Sequence, residues 1–179
     1  MKPTLLTLAS LLVISLVRLH AATLTLTAPL DYQVIQRESR DKGTLTIGGN
    51  LADADSKATI VEARIVADGK AGAWQRLRTA FTGTSFEARM EAPAGGWHRL
   101  EVRASSGEKV LTDAAVEHVG VGEVFVVAGQ SNSANHGEEK QVTKTGKVVT
   151  FGGERWQLSK DPQPGASGGG GSFLPPFGD

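Results

Sequence analysis

The chain contains no cysteine. Disulfides, zinc–thiolate sites and cysteine nucleophiles are therefore excluded. It has no surplus of positive charge either: 19 Lys and Arg balance 19 Asp and Glu over 179 residues. With no basic excess to neutralise phosphates, no nucleic-acid partner is expected. No apolar run reaches the ~20 residues that a membrane span needs. The longest, residues 5–17, follows Lys2 and leads through a short polar stretch to the small residues Ala21 and Ala22. A positive start, a short apolar core and small residues at its end read as an export signal over residues 1–22. Its removal leaves no stable membrane anchor and predicts a periplasmic or secreted protein. Export without cysteine fits a bacterial protein, which need not use disulfides. Lys2 and Arg18 leave with the signal, so 17 basic side chains of the original 19 remain against 19 acidic ones, a formal charge of about −2.

A sustained helical period is also missing. The pattern from residue 23 to 118 alternates with period two, as half-buried strands do. Leu24 and Leu26 alternate with threonines, and Leu45 and Ile47 do the same. Val61, Ala63 and Ile65 oppose Glu62 and Arg64, while Phe86, Ala88 and Met90 oppose Glu87, Arg89 and Glu91. Leu100 and Val102 oppose Arg99, Glu101 and Arg103. Turn residues at 41–43, 53–55, 68–70 and 93–96 separate these runs. Several short strands with regular turns predict a β-sandwich over residues 23–118. Trp74 and Trp97 in this region either stack on sugar rings or pack within the sheets, tryptophan being highly buried on average. No acidic cluster of the calcium-loop kind occurs, and no metal site is expected.

The character of the chain changes at residue 119. A glycine-containing approach leads into residues 124–128, Val-Phe-Val-Val-Ala, and then Gly129, Gln130, Ser131 and Asn132. An unbroken apolar run suits a central parallel strand covered on both faces. Ligands of open α/β sheets bind beyond the carboxyl ends of the strands, which is where Ser131 would stand. Gly129 permits a sharp turn, and the Ser131 amide is able to face a developing oxyanion. The same spacing also occurs in ordinary turns.

Residues 121–132, Val-Gly-Glu-Val-Phe-Val-Val-Ala-Gly-Gln-Ser-Asn, resemble the first conserved block of the SGNH (GDSL-like) hydrolases, and within them the sialate O-acetylesterase-like carbohydrate esterases. Residues 152–156, 161–165 and 170–175 are similar to the segment that follows in that family. The resemblance implies a β-sandwich followed, over residues 119–179, by the opening part of a truncated α/β hydrolase domain. That domain is flavodoxin-like, with a parallel sheet. The implied activity is carboxylic-ester hydrolysis without a cofactor or metal, removing O-acetyl groups from a polysaccharide or sialic acid. Ser131 would be the nucleophile and, through its amide, an oxyanion donor. Gly170 would supply a second amide. Gln130, Asn132 and His136 would contact the acetylated carbohydrate.

Two parts of the family pattern are missing: a third-block asparagine and a late Asp-x-x-His pair. Serine is a weak nucleophile without an adjacent base, so this chain alone is expected to be inactive. Of the four histidines, His20 lies in the signal, His98 among the strand residues, and His118 before residue 119. Only His136 is close to Ser131 in sequence, as a substrate contact or as a solvated loop residue. Asn132 and Asn135 either hold the loop or touch substrate. Residues 168–172, Gly-Gly-Gly-Gly-Ser, have the composition of a flexible linker as well as of an oxyanion loop. The competing function is a non-catalytic β-sandwich that binds carbohydrate and trails a flexible glycine-rich tail.

Overall fold

Period-two alternation places every second side chain on one face of a strand, so two such sheets bury their apolar faces against each other. In a computed structural model this is how the first part of the chain is arranged. Residues 21–179 are described, and the export signal expected at residues 1–22 lies outside them except for Ala21 and Ala22. The strands are β1 (Thr23–Ala28), β2 (Gln33–Gln36), β3 (Lys42–Ala52), β4 (Thr59–Ala67), β5 (Lys70–Ala71), β6 (Gln75–Arg76), β7 (Ala80–Thr82), β8 (Ser85–Pro93), β9 (Trp97–Ser106) and β10 (Lys109–Gly122). One sheet has the order β1-β3-β8-β7, all antiparallel. The other runs β2-β10-β9-β4-β5, with β6 also paired to β4, and its β2–β10 pair is parallel.

Strand β8 shows the principle most plainly. Phe86, Ala88, Met90 and Ala92 are buried, while Ser85, Glu87, Arg89, Glu91 and Pro93 face solvent. They meet Leu45, Ile47 and Leu51 of their own sheet and Val61, Ala63, Leu100, Val102 and Ala104 of the other in one continuous core. Burying a side chain of the Leu, Val or Phe type contributes about 1.5–3 kcal/mol. The outward face of the second sheet carries cross-strand ion pairs, Arg64 with Glu101 at 2.6 Å and Arg103 with Glu62 at 2.8 Å.

The expectation of an SGNH-type α/β domain over residues 119–179 is corrected by the structure. The described chain is mostly β, 50% strand against 5% helix, with mixed and antiparallel sheets. Residues 119–122 belong to the sandwich, as the end of β10, where Val119–Gly122 pair with Gln33–Gln36. Pairing stops there because both neighbours stop. Strand β2 ends at Gln36, and the ladder with β9 closes at Gly120 and Trp97. The Gln36 side chain then accepts the Val124 amide at 2.8 Å, in place of a further strand. Residues 124–128 therefore form no strand, and Val124, Phe125, Val126 and Val127 are 41%, 61%, 96% and 40% exposed. An apolar run is buried as a central strand only when neighbours cover both its faces.

After this run come a single 3₁₀ turn at Ser131–Ser133, the short hairpin β11 (Val149–Phe151) and β12 (Trp156–Leu158), and the five-residue helix α1 (Leu174–Gly178). The Trp97 indole donates to the Gly146 carbonyl at 2.8 Å, which ties this part of the chain to the sandwich.

Gly49 offers a test of the core. Its residue pairs with Phe86, and a Cβ there would lie 2.7 Å from the Thr25 carbonyl oxygen and 2.8 Å from the Phe86 ring. Gly49→Ala is expected to cost about 1–3 kcal/mol by overpacking, read as a lower midpoint of urea unfolding. A variant as stable as the wild type would show that the ring does not lie over the β3 backbone.

Candidate functional site

The backbone at Ser131 is strained. Its φ is 51°, in the left-handed region, a conformation that costs a non-glycine residue about 1–3 kcal/mol and tends to collect at functional positions. Gln130 before it is extended, and its carbonyl accepts the Ser133 amide at 3.1 Å. The Ser131 carbonyl accepts two amides, from Ala134 at 2.9 Å and His136 at 3.0 Å, so the chain folds back tightly around this residue. The Ser131 side chain is exposed, and neither its hydroxyl nor its amide has a hydrogen-bond partner among the described residues. A hydroxyl and an amide without partners, on one exposed residue, form the minimal pair for attack on a carbonyl and stabilisation of the resulting oxyanion.

The glycine run lies against this turn as a strap. The Gly168 amide donates to the Ala134 carbonyl at 2.8 Å, Gly170 to Asn135 at 2.7 Å and Phe173 to Asn132 at 3.2 Å. Gly137 and Gly171 exchange both main-chain bonds, at 2.9 and 2.8 Å. Main chains this close leave no space for side chains. A Cβ on Gly168 would overlap the Asn135 carbonyl oxygen, one on Gly170 that of Gly137, and one on Gly171 that of Glu139. Only Gly169 has open space around it. The glycines are thus required by packing, as a linker's are not. The Gly170 amide, implied as an oxyanion donor, is occupied by Asn135. The exposed Gly169 amide has no partner among the described residues.

Beneath turn and strap lies a cluster of buried polar side chains: Asn135, Ser159, Asp161, Gln163 and Ser172. Asn135, also left-handed at φ 60° and 1% exposed, clamps the main chain of Gln163. Its carboxamide donates to the Gln163 carbonyl at 2.9 Å and accepts the Gln163 amide at 2.8 Å. The Asp161 carboxylate accepts four bonds: the Gln141 amide at 2.9 Å, the Ser172 amide at 2.7 Å, the Ser172 hydroxyl at 2.6 Å and the Gln163 carboxamide at 2.8 Å. Burial by itself pushes the Asp161 carboxyl up. The bonds from Ser172, Gln163 and Gln141 outweigh burial and hold it below the usual carboxylate range. At the edge of the region the Lys144 amide, with the Thr145 and Thr143 hydroxyls and the Thr145 amide, holds the exposed Asp179 carboxyl low as well.

The other residues singled out in the sequence lie as follows. The His136 ring meets the Ser167 hydroxyl at 3.3 Å and not the Ser131 hydroxyl. The side chains of Gln130 and Asn132 are exposed beside Ser131 and make no hydrogen bond within the described residues. His98 is buried and donates to the Pro93 carbonyl at 3.0 Å. His118 stacks on Tyr32 at 4.2 Å and bonds Asp31 at 3.1 Å. Trp74 is covered by the guanidinium groups of Arg64 and Arg103, at 4.4 and 4.3 Å from its ring. Trp97 packs edge-on against Tyr32 and His118. Neither tryptophan stands as an open platform.

Sequence reasoning missed the roles of Ser159, Asp161, Gln163 and Ser172. Residues 161–165 and 170–175 are marked only by their family resemblance, and nothing in the spacing pairs Asn135 with Gln163, 28 residues on. A comparison with known protein families, and one with curated proteins, found no match to this chain.

Two results should follow from this geometry. Gly171→Ala is expected to destabilise the strap by about 1–3 kcal/mol and to open residues 166–172 to subtilisin, while Gly169→Ala leaves both unchanged. Equal indifference of the two variants would return the run to a flexible linker. The second concerns acid. Because the folded carboxyl of Asp161 titrates below its unfolded value, its stabilisation is full above about pH 4–5 and is lost as the pH falls through the lower folded value. The amide resonances of Ser172 and Gly170 should therefore shift together between about pH 5 and pH 2. Resonances that stay fixed across that window would contradict it.

Proposed function

We propose that this protein is an exported serine esterase that removes O-acetyl groups from carbohydrate, with Ser131 as its nucleophile. The observation that carries the reading is the left-handed, exposed Ser131, held at the head of a tight turn with hydroxyl and amide both without partners among the described residues. The resemblance of residues 121–132 to the first SGNH block and the engaged positions of Trp74 and Trp97 support it over a sugar-binding module. In the reaction the Ser131 oxygen attacks the ester carbonyl carbon. The sugar hydroxyl departs, and water then releases acetate from the acetyl-serine. The Ser131 amide, which has no partner among the described residues, is the donor available for the oxyanion. Gln130, Asn132 and His136 present exposed polar side chains on the same turn.

The hydroxyl proton needs an acceptor, and among the described residues no imidazole hydrogen-bonds Ser131. The geometry of residues 21–179 thus assigns the general-base role to none of the three described histidines. Oxyanion donors and binding alone sustain a residual acceleration of about 10³–10⁴ over water when catalytic partners are removed. A fluorophosphonate probe should accordingly label Ser131 of the 179-residue chain in preference to an exposed serine such as Ser106, with the signal lost in Ser131→Ala. Labelling that shows no preference for Ser131 would overturn the assignment. Hydrolysis of p-nitrophenyl acetate and acetylated xylan by the same chain should stay near background. Robust turnover dependent on Ser131 would instead make His136 the base.

A further inference from the structure

We propose that the buried cluster of Asn135, Asp161, Gln163 and Ser172 holds Ser131 in its left-handed conformation, with Asp161 and Asn135 as positioning residues. As the holder of the turn, the cluster is independent of the esterase reading. As a device that serves a nucleophile, it rests on that reading.

The left-handed backbone at Ser131 has no support from its own side chain, so the support must come from the main chain around it. Four carbonyls next to Ser131 in sequence, those of Asn132, Ala134, Asn135 and Gly137, are all gripped by amides of the strap, from Phe173, Gly168, Gly170 and Gly171. The strap in turn is fixed at Ser172, whose amide and hydroxyl both end on the Asp161 carboxylate. From the other side Asn135 fastens the turn to Gln163, whose side chain ends on the same carboxylate. Two routes therefore connect the turn at Ser131 to Asp161, one through the strap and one through the Asn135 side chain.

The chemistry of Asp161 gives this arrangement its specificity. Three of its four partners, two amides and a carboxamide NH₂, are able only to donate. Asparagine at this position would turn an NH₂ group toward at least one of them, whichever way it is flipped. Asn135 is the complementary case. Its left-handed backbone suits glycine equally well, so Asn135→Gly removes the clamp and keeps the main-chain geometry.

The test uses the 179-residue chain, with Asp161→Asn and Asn135→Gly beside the wild type, and two readouts. The first is hydrogen exchange by NMR at the Ala134 and His136 amides, which close the turn on the Ser131 carbonyl, and at Gly168 and Gly170. Both variants should exchange roughly tenfold or more faster at these amides, while the β3, β8 and β9 amides keep their protection. Unchanged exchange at the four amides in Asn135→Gly, the variant least able to disturb folding, would overturn the proposal. The second is the rate of fluorophosphonate labelling of Ser131 relative to Ser106. It should fall about tenfold or more in both variants, since a nucleophile displaced by about 1 Å loses much of its rate. Faster exchange with an unchanged labelling ratio would overturn the positioning role. A wild-type chain with no Ser131 preference would sink the esterase reading, and the exchange measurement alone would then decide the proposal.

Discussion

A carboxylate taken out of water must be met by donors or by a cation, and Asp161 is met by donors alone. These come from residues 141, 163 and 172, three separate stretches of chain. Around this point the region after the sandwich has little else to organise it. Its helix is five residues long, its hairpin strands have three residues each, and most of its large apolar side chains are half-buried or exposed. Hydrogen bonds to a charged group are roughly twice as strong as those between neutral partners. They are also directional, as apolar burial is not. A region with almost no core can thus hold a defined conformation at Ser131, in contrast to the sandwich, where apolar contact between two sheets does the same work.

The strands of the sandwich were legible because their signal is local. In Phe86, Ala88, Met90 and Ala92 each residue declares its face through its immediate neighbours, and the turns between strands carry their own residues. Residues 124–128 show where this kind of reading stops. Five apolar residues in a row predict burial on two faces, but burial depends on what stands on either side. Past Gly122 neither β2 nor β9 continues. The run has the composition of a central strand in a place where no sheet receives it.

The site divides in the same way. Ser131 was legible as a polar residue after a glycine at the end of an apolar run, and its left-handed backbone bears on its chemistry without altering its identity. The glycine run was ambiguous because composition does not distinguish a chain that bends freely from one pressed against another chain. Three of the four glycines are of the second kind. The oxyanion role implied for Gly170 depended on a free amide, which only the three-dimensional pairing with Asn135 could test. Asn135 meets Gln163 across 28 residues and reaches Asp161 only through it, and no local pattern expresses such a relation.

The strap also bears on how a protein of this kind would diversify. A wall made of main chain offers no side chains to exchange, so Gly168, Gly170 and Gly171 leave drift and selection almost nothing to work on. Side-chain variation in this region falls instead to the exposed turn around Ser131. There Gln130, Asn132 and His136 face outward with few or no bonds to the rest of the fold. The strap side of the turn is therefore closed to side-chain change and the exposed side open to it, a division set by how closely two backbones approach.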